Sequence, residues 1–169
     1  REEALQIVPC TPDATPGHLA EIRQSAANTI RLNAGAVASH LYSVCDTLGL
    51  YVIAQAPIDS HKAGSSRAVG GNPSNDPAWV PFYLERVENS YHSSKRHPSV
   101  VGFSIATSSA NGIALYESFL RMKSLEEDRP VMEHRSYRVD FEDFSPFNQE
   151  KRFKKKNFFH IFSSKNLHR

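Results

Sequence analysis

The sequence predicts an α/β fold built on a parallel sheet, and three observations carry that prediction. Two apolar runs rich in β-branched residues, 50–54 and 99–106, have the character of strands buried on both faces. Around them lie segments whose apolar residues recur three and four positions apart, the spacing of helices that cover a sheet. No run approaches the ~18 apolar residues that a membrane-spanning helix needs. The alternation leaves two architectures, a doubly wound sheet or part of a (β/α)8 barrel. No Gly-x-Gly-x-x-Gly or Walker sequence follows a strand, which weakens the nucleotide-binding form of the first.

Residues 1–16, rich in proline and threonine, read as an irregular lead-in. Leu19, Ile22 and Ala26 then give helical spacing over 17–27, and residues 28–32 form a short β-prone run. Val37, Leu41, Val44 and Leu48 mark one helical face, closed by Gly49 where a C′ glycine belongs. The strand at 50–54 follows directly. Residues 55–76 are polar, contain Gly64, Gly70, Gly71 and Pro73, and are expected to form a long loop without structure of its own. Loops of that kind are often functional. Pro77 opens a helix whose face is Val80, Leu84, Val87 and Tyr91. After the His97-Pro98 turn comes the strand at 99–106, then a helix through Ile113, Tyr116 and Leu120 to Leu125. Residues 129–133 begin one more strand.

From residue 134 the pattern changes. Tyr137-Arg-Val-Asp-Phe-Glu alternates with period 2, and a basic run enters Asn157-Phe-Phe-His-Ile-Phe162. Both are expected to be antiparallel strands outside the βα repeat. The charge balance shifts at the same place. Residues 1–131 hold 11 Lys and Arg against 13 Asp and Glu, whereas 132–169 hold 9 against 5. The basic excess belongs to the tail.

Several function classes drop out on residue types alone. The run Lys151-Arg-Phe-Lys-Lys-Lys156 could neutralise phosphates, but lysines on a solvated strand edge serve equally to block sheet-to-sheet association, so nucleic acid is not the expected partner. The two cysteines, Cys10 and Cys45, cannot form a disulfide framework, and Cys45 reads as a core residue. Scattered histidines and the absence of His-Glu-x-x-His argue against a metal site, and no cofactor is implied. No Gly-x-Ser-x-Gly elbow supports a serine nucleophile. The first residues, REEALQIVP, show no signal-peptide pattern, which leaves the compartment open.

Four phrases carry a resemblance. They are Asn28-Thr-Ile-Arg31, Leu41-Tyr-Ser-Val-Cys-Asp-Thr-Leu-Gly-Leu-Tyr-Val-Ile53, Arg96-His-Pro-Ser-Val-Val-Gly-Phe-Ser-Ile105 and Asp128-Arg-Pro-Val131. In this order they resemble the catalytic barrel of glycoside hydrolase family 2, the β-galactosidase and β-glucuronidase family. The resemblance implies a partial or degenerate (β/α)8 TIM-type barrel with parallel strands over 1–133. Residues 134–169 would then be a basic C-terminal β segment, similar to the β-sandwich domain that follows such barrels.

The resemblance also implies a chemistry that the residues do not match. A retaining glycosidase uses two carboxyl groups about 5 Å apart, one as acid/base and one as nucleophile. Where the family has an asparagine and its acid/base glutamate, this chain has Thr107 and Ser108. A serine hydroxyl is a poor proton donor to a glycosidic oxygen. The family histidine after the second strand is Ala34, the strand-three glutamate is Gln55, and nothing after Val131 resembles the nucleophile strand. Glu133 matches a family glutamate that is not the nucleophile.

The expected reading is therefore a family-2-like protein without its own hydrolytic activity. The alternatives are an active hydrolase with a rebuilt or partner-completed site, and an interaction module whose basic tail docks on an acidic partner. Candidate saccharide contacts are Arg31, Gln55, His61 and Trp79, and the expected ligand is a β-linked saccharide. A barrel short of strands should be completed by other segments of a longer chain or by a second copy. Secretion to an extracellular or periplasmic space, as in many family relatives, is what the resemblance would imply for location.

Overall fold

The structure, a computed structural model, describes residues 6–33, 39–64, 66, 68–106 and 109–132. Strands and helices alternate through them: β1 Ile7–Cys10, α1 Pro16–Gln24, β2 Thr29–Leu32, α2 His40–Leu48, β3 Tyr51–Gln55, α3 Val80–Ser94, β4 Val100–Ser104, α4 Ile113–Leu125 and β5 Val131–Met132. Every neighbouring pair of strands is parallel, and the sheet order follows the chain, β1-β2-β3-β4-β5. A sheet that never reverses its order has no switch point, which excludes the doubly wound alternative. Right-handed crossovers in one direction put every helix on the same face. This is a partial (β/α)8-type barrel.

The lead-in expected at residues 1–16 is corrected by β1. Pro9 within Ile-Val-Pro-Cys removes a backbone donor and argues against a strand, but among the described residues β1 pairs with β2 alone and stands at the sheet edge, where proline is tolerated. The long polar loop is also corrected. Residues 61–63, 73–75 and 77–79 form 3-10 turns, two of them opened by Asn72 and Asp76 side chains that accept from the Asn75 and Ala78 amides. The tail from Glu133 onward, with the expected domain boundary and its β segment, lies outside the described residues.

Local chemistry places the helices where periodicity put them. Thr15 caps α1 by accepting from the His18 amide, with Pro16 in the first turn, and Gly49 ends α2 at φ 68°, a left-handed position that favours glycine. The core lies between the sheet and the helices. Ile30, Leu32, Val52, Ala54, Val100 and Phe103 meet Leu19, Leu41, Tyr42, Cys45, Val87 and Met122. Val100 and Phe103 are three apart yet share that face because the β3–β4 register slips by one residue at Val101. Burial pushes the Cys45 thiol up to about 12 and also raises Cys10, so both stay protonated core residues.

The strand-start end of the sheet is held by two carboxylates. Asp46 on α2 accepts from His97 Nδ1 at 2.6 Å and from the Ser99 amide at 2.9 Å, and the His97 ring stacks on Tyr42 with centroids 5.3 Å apart. Ser99 in turn offers its carbonyl to the Val52 amide at 2.8 Å, so the clamp sets where β4 starts beside β3. Burial works to raise the Asp46 carboxyl, but the hydrogen bonds from Ser99 and His97 outweigh it and hold it below the usual range. Glu126, which is buried where Asp46 is only partly so, accepts from Arg129 Nε at 2.9 Å and from the Asp128 and Arg129 amides. Arg129 reaches on to the carbonyls of Lys95 and Val100 and lies 4.8 Å from the Phe103 ring centroid.

Asp46→Ala is expected to destabilise the chain at neutral pH by about 2–3 kcal/mol, the loss of charge-assisted bonds to groups left buried. Because the folded-state carboxyl of Asp46 is depressed, its contribution is present above the unfolded value near ~3.9 and is lost as pH falls through the folded value. Urea unfolding should therefore show the gap between wild type and Asp46→Ala narrowing from pH 6 to pH 3. A gap that stays constant over that range would contradict the clamp.

Candidate functional site

In a (β/α)8 arrangement chemistry sits at the C-terminal ends of the strands, on the loops that leave them. Strand alternation determines which residues point there. Ile30 and Leu32 enter the helix-covered core, so Arg31 between them faces the opposite, interior side of the sheet. Its row across the sheet is Pro9, Arg31, Ile53 and Gly102, and the next row toward the strand ends is Gln55, Ser104 and Met132. Arg31 and Gln55 thus share one face, one layer apart. Gln55 is buried, whereas Arg31 is half-buried with no ion pair or hydrogen bond among the described residues. None of the five strands carries an Asp or Glu.

His61 and Trp79 sit on the connection from β3 to α3. Asp59 Oδ1 accepts both the His61 amide at 3.1 Å and His61 Nδ1 at 2.5 Å, which fixes the ring and leaves its Nε2 unbonded among the described residues. Burial works to raise the Asp59 carboxyl, but the His61 hydrogen bonds prevail and lower it. Trp79 ends the last 3-10 turn before α3, half exposed beside Phe82. No bond or ring contact joins His61 or Trp79 to Arg31 or Gln55 among the described residues. Ala34, Thr107 and Ser108 lie outside those residues. Among the described residues no group of three or more His, Cys, Asp or Glu could hold a metal ion.

The connection is not free to wander. Ser60 Oγ and Ser74 Oγ are 2.8 Å apart, Ser74 Oγ and the Tyr83 hydroxyl 3.1 Å, and the Ser60 amide donates to Ser109 Oγ at 3.0 Å. All three serines are buried, and each hydroxyl has a partner away from water, Ser109 Oγ by accepting from a backbone amide. Gly112, at the start of α4, packs so closely on the Ser74 peptide that a Cβ would stand 2.1 Å from its carbonyl oxygen. These contacts pin the loop bearing Asp59 and His61 to the segment that follows β4. The sequence offered no signal for them, since single serines in a polar stretch look like solvated loop.

A parallel βα sheet in chain order defines part of a (β/α)8-type barrel. The family is then specific: residues 17–160 match glycosyl hydrolases family 2, TIM barrel domain, and the chain belongs to that family. It is 29% identical over 114 residues to a β-galactosidase of Streptococcus thermophilus, covering 65% of this chain and 11% of that protein. It is 31% identical over 121 residues to a β-galactosidase of Aeromonas hydrophila subsp. hydrophila, covering 72% of this chain and 11% of that one. The chain thus spans about a tenth of the length of these curated relatives. Among solved structures, β-glucuronidase 3 of Bacteroides uniformis superposes with a TM-score of 0.53 at 16% identity, over 78% of this chain and 18% of that one. That likeness is one of fold. No helix among the described residues is long and apolar enough to cross a membrane.

Gly112→Ala is expected to lower stability by about 1–3 kcal/mol, because the methyl meets backbone that cannot yield as a side chain would. Ser74→Ala should cost about 1–3 kcal/mol by leaving the Ser60 and Tyr83 hydroxyls short of a partner. Thermal unfolding reads both, and a wild-type midpoint for either variant would show that the loop is not pinned in this way.

Proposed function

We propose that this chain is a saccharide-binding segment of a family 2 barrel that does not hydrolyse glycosidic bonds by itself. The observation that supports this most directly is the make-up of the sheet's interior face at the strand ends. Its polar members are Arg31, Gln55 and Ser104, with no carboxylate on any of the five described strands. Retaining hydrolysis calls for two carboxyl groups about 5 Å apart, one to protonate the leaving oxygen and one to attack the sugar. An amide and a hydroxyl do neither at neutral pH, though both hydrogen-bond sugar hydroxyls well. Thr107 and Ser108 at the acid/base phrase agree with that reading. In it, Arg31 and Gln55 contact a β-linked saccharide from the interior face, while His61 contacts it from the β3–α3 connection.

Arg31, without an ion pair or hydrogen bond among the described residues, favours a second reading. A half-buried guanidinium left in that state is costly, and a carboxylate supplied by further segments of a longer chain or by a second copy would satisfy it. That carboxylate could complete an active site.

Turnover separates the two. The 169-residue chain should release chromophore from a β-galactoside or β-glucuronide no faster than buffer, and Ser108→Glu should not rescue it. Losing the general acid alone forfeits about 10²–10⁴ in rate, and a missing nucleophile removes the covalent route. Calorimetry should still detect binding of a non-hydrolysable β-galactoside, weakened by Arg31→Ala. Turnover above buffer, abolished by substituting one carboxylate, would overturn the inactive reading.

A further inference from the structure

We propose that Trp79 and Phe82 form a saccharide platform of their own, apart from Arg31 and Gln55, that takes a neutral β-linked oligosaccharide by ring stacking. The inference rests on the saccharide-binding reading above and adds a place and a mode of contact to it. Trp79 is 43% exposed and Phe82 52% exposed, with ring centroids 5.7 Å apart and planes tilted by 55°. Pro77, Ala78 and Pro81 beside them are exposed as well. Aromatic surface left open to water is costly, and here it is contiguous rather than scattered.

The rings stand on a fixed base. The Trp79 amide donates to the Asp76 carbonyl at 3.0 Å, and Asp76 Oδ1 accepts from the Ala78 amide at 2.9 Å, closing the turn beneath the indole. Tyr83, next to Phe82, is buried and tied to Ser74, and Arg86 Nη1 donates to the Phe82 carbonyl at 3.3 Å. A platform already ordered loses little freedom when a ligand arrives.

Area selects the occupant. Aromatic side chains bury ~150–250 Å² each when fully covered, so two rings about half exposed offer roughly 200 Å². A specific protein partner needs about 800 Å² on each side. The patch is several-fold too small for that, but it suits the apolar face of a sugar ring or two. Asp76 precedes the rings and Arg86 follows Phe82 by one helical turn, so an acceptor and donors bracket the aromatic pair. Sugars need that combination, since their hydroxyl rims hydrogen-bond while their C–H faces stack.

Trp79 is the single tryptophan in the chain, so its emission reports this site alone. The experiment titrates the 169-residue chain with β-1,4-linked galactotetraose, following tryptophan emission and heat in parallel. A saturable emission change is expected. Phe82→Ala and Phe82→Leu should each raise its midpoint about tenfold, because the ring and not mere apolar volume makes the contact. Arg31→Ala should leave the emission titration unchanged. Heat of binding that Arg31→Ala removes, with Trp79 emission unmoved throughout, would overturn the platform while the saccharide reading stands. Neither heat nor emission change would defeat the saccharide reading and the platform with it. Emission that shifts with protein concentration in the absence of sugar would mark the patch as a contact between copies and overturn the platform.

Discussion

One carboxylate governs how the rest of this sheet is assembled. Asp46 sits on α2, yet its two oxygens hold the His97 ring and the Ser99 amide at the start of β4, 51 and 53 residues along the chain. Burial disfavours an ionised group there, and the depressed carboxyl shows that the hydrogen bonds win. Because the Ser99 carbonyl also receives the Val52 amide, the clamp determines the β3–β4 register and thereby which residues of β4 face the helices. Glu126 and Arg129 repeat the device one unit on. Their pair joins the end of α4 to the carbonyls of Lys95 and Val100 and to the face of Phe103.

The residues of these clamps lie in three of the phrases that carry the family resemblance. The phrases around Cys45-Asp46, His97-Pro98-Ser99 and Arg129-Pro130 meet at the strand-start end, where a barrel's residues serve stability. Gln55 closes β3 at the opposite, strand-end side. There, among the described residues, neutral hydroxyls join the loops, through Ser60, Ser74, Tyr83 and Ser109. A rigid rim without carboxylates on its strands is suited to hold a sugar, which is why binding without bond cleavage is the reading we favour.

Much of the fold was legible in the sequence, because burial on both faces and helical spacing are local signals. The strands at 51–55 and 100–104, the glycine stop at Gly49 and the helix from 113 to 125 were all visible in that way. β1 was not, since a proline and exposed Ile7 conceal a strand that only its neighbour stabilises. The Val101 bulge was hidden too, because either valine of the pair suits a core. Arg31 and Gln55 could be placed at strand ends from sequence, but that they share a face one layer apart depends on register. Asp46 and His97 are 51 positions apart, and Ser60 and Ser109 are 49 apart, so their pairing exists only once the crossovers form.

Native-state hydrogen exchange tests the governing role of Asp46 most directly. If the clamp holds the β3–β4 junction, the Ser99 and Val52 amides exchange only in openings as costly as those of the central strands. Replacing Asp46 by alanine should then speed both, together with the Ala56 amide, which donates to the Ser104 carbonyl further along the pair, by a common factor. Faster exchange confined to Ser99, with Val52 and Ala56 unchanged, would show that the carboxylate caps a local turn and that the sheet is assembled without it.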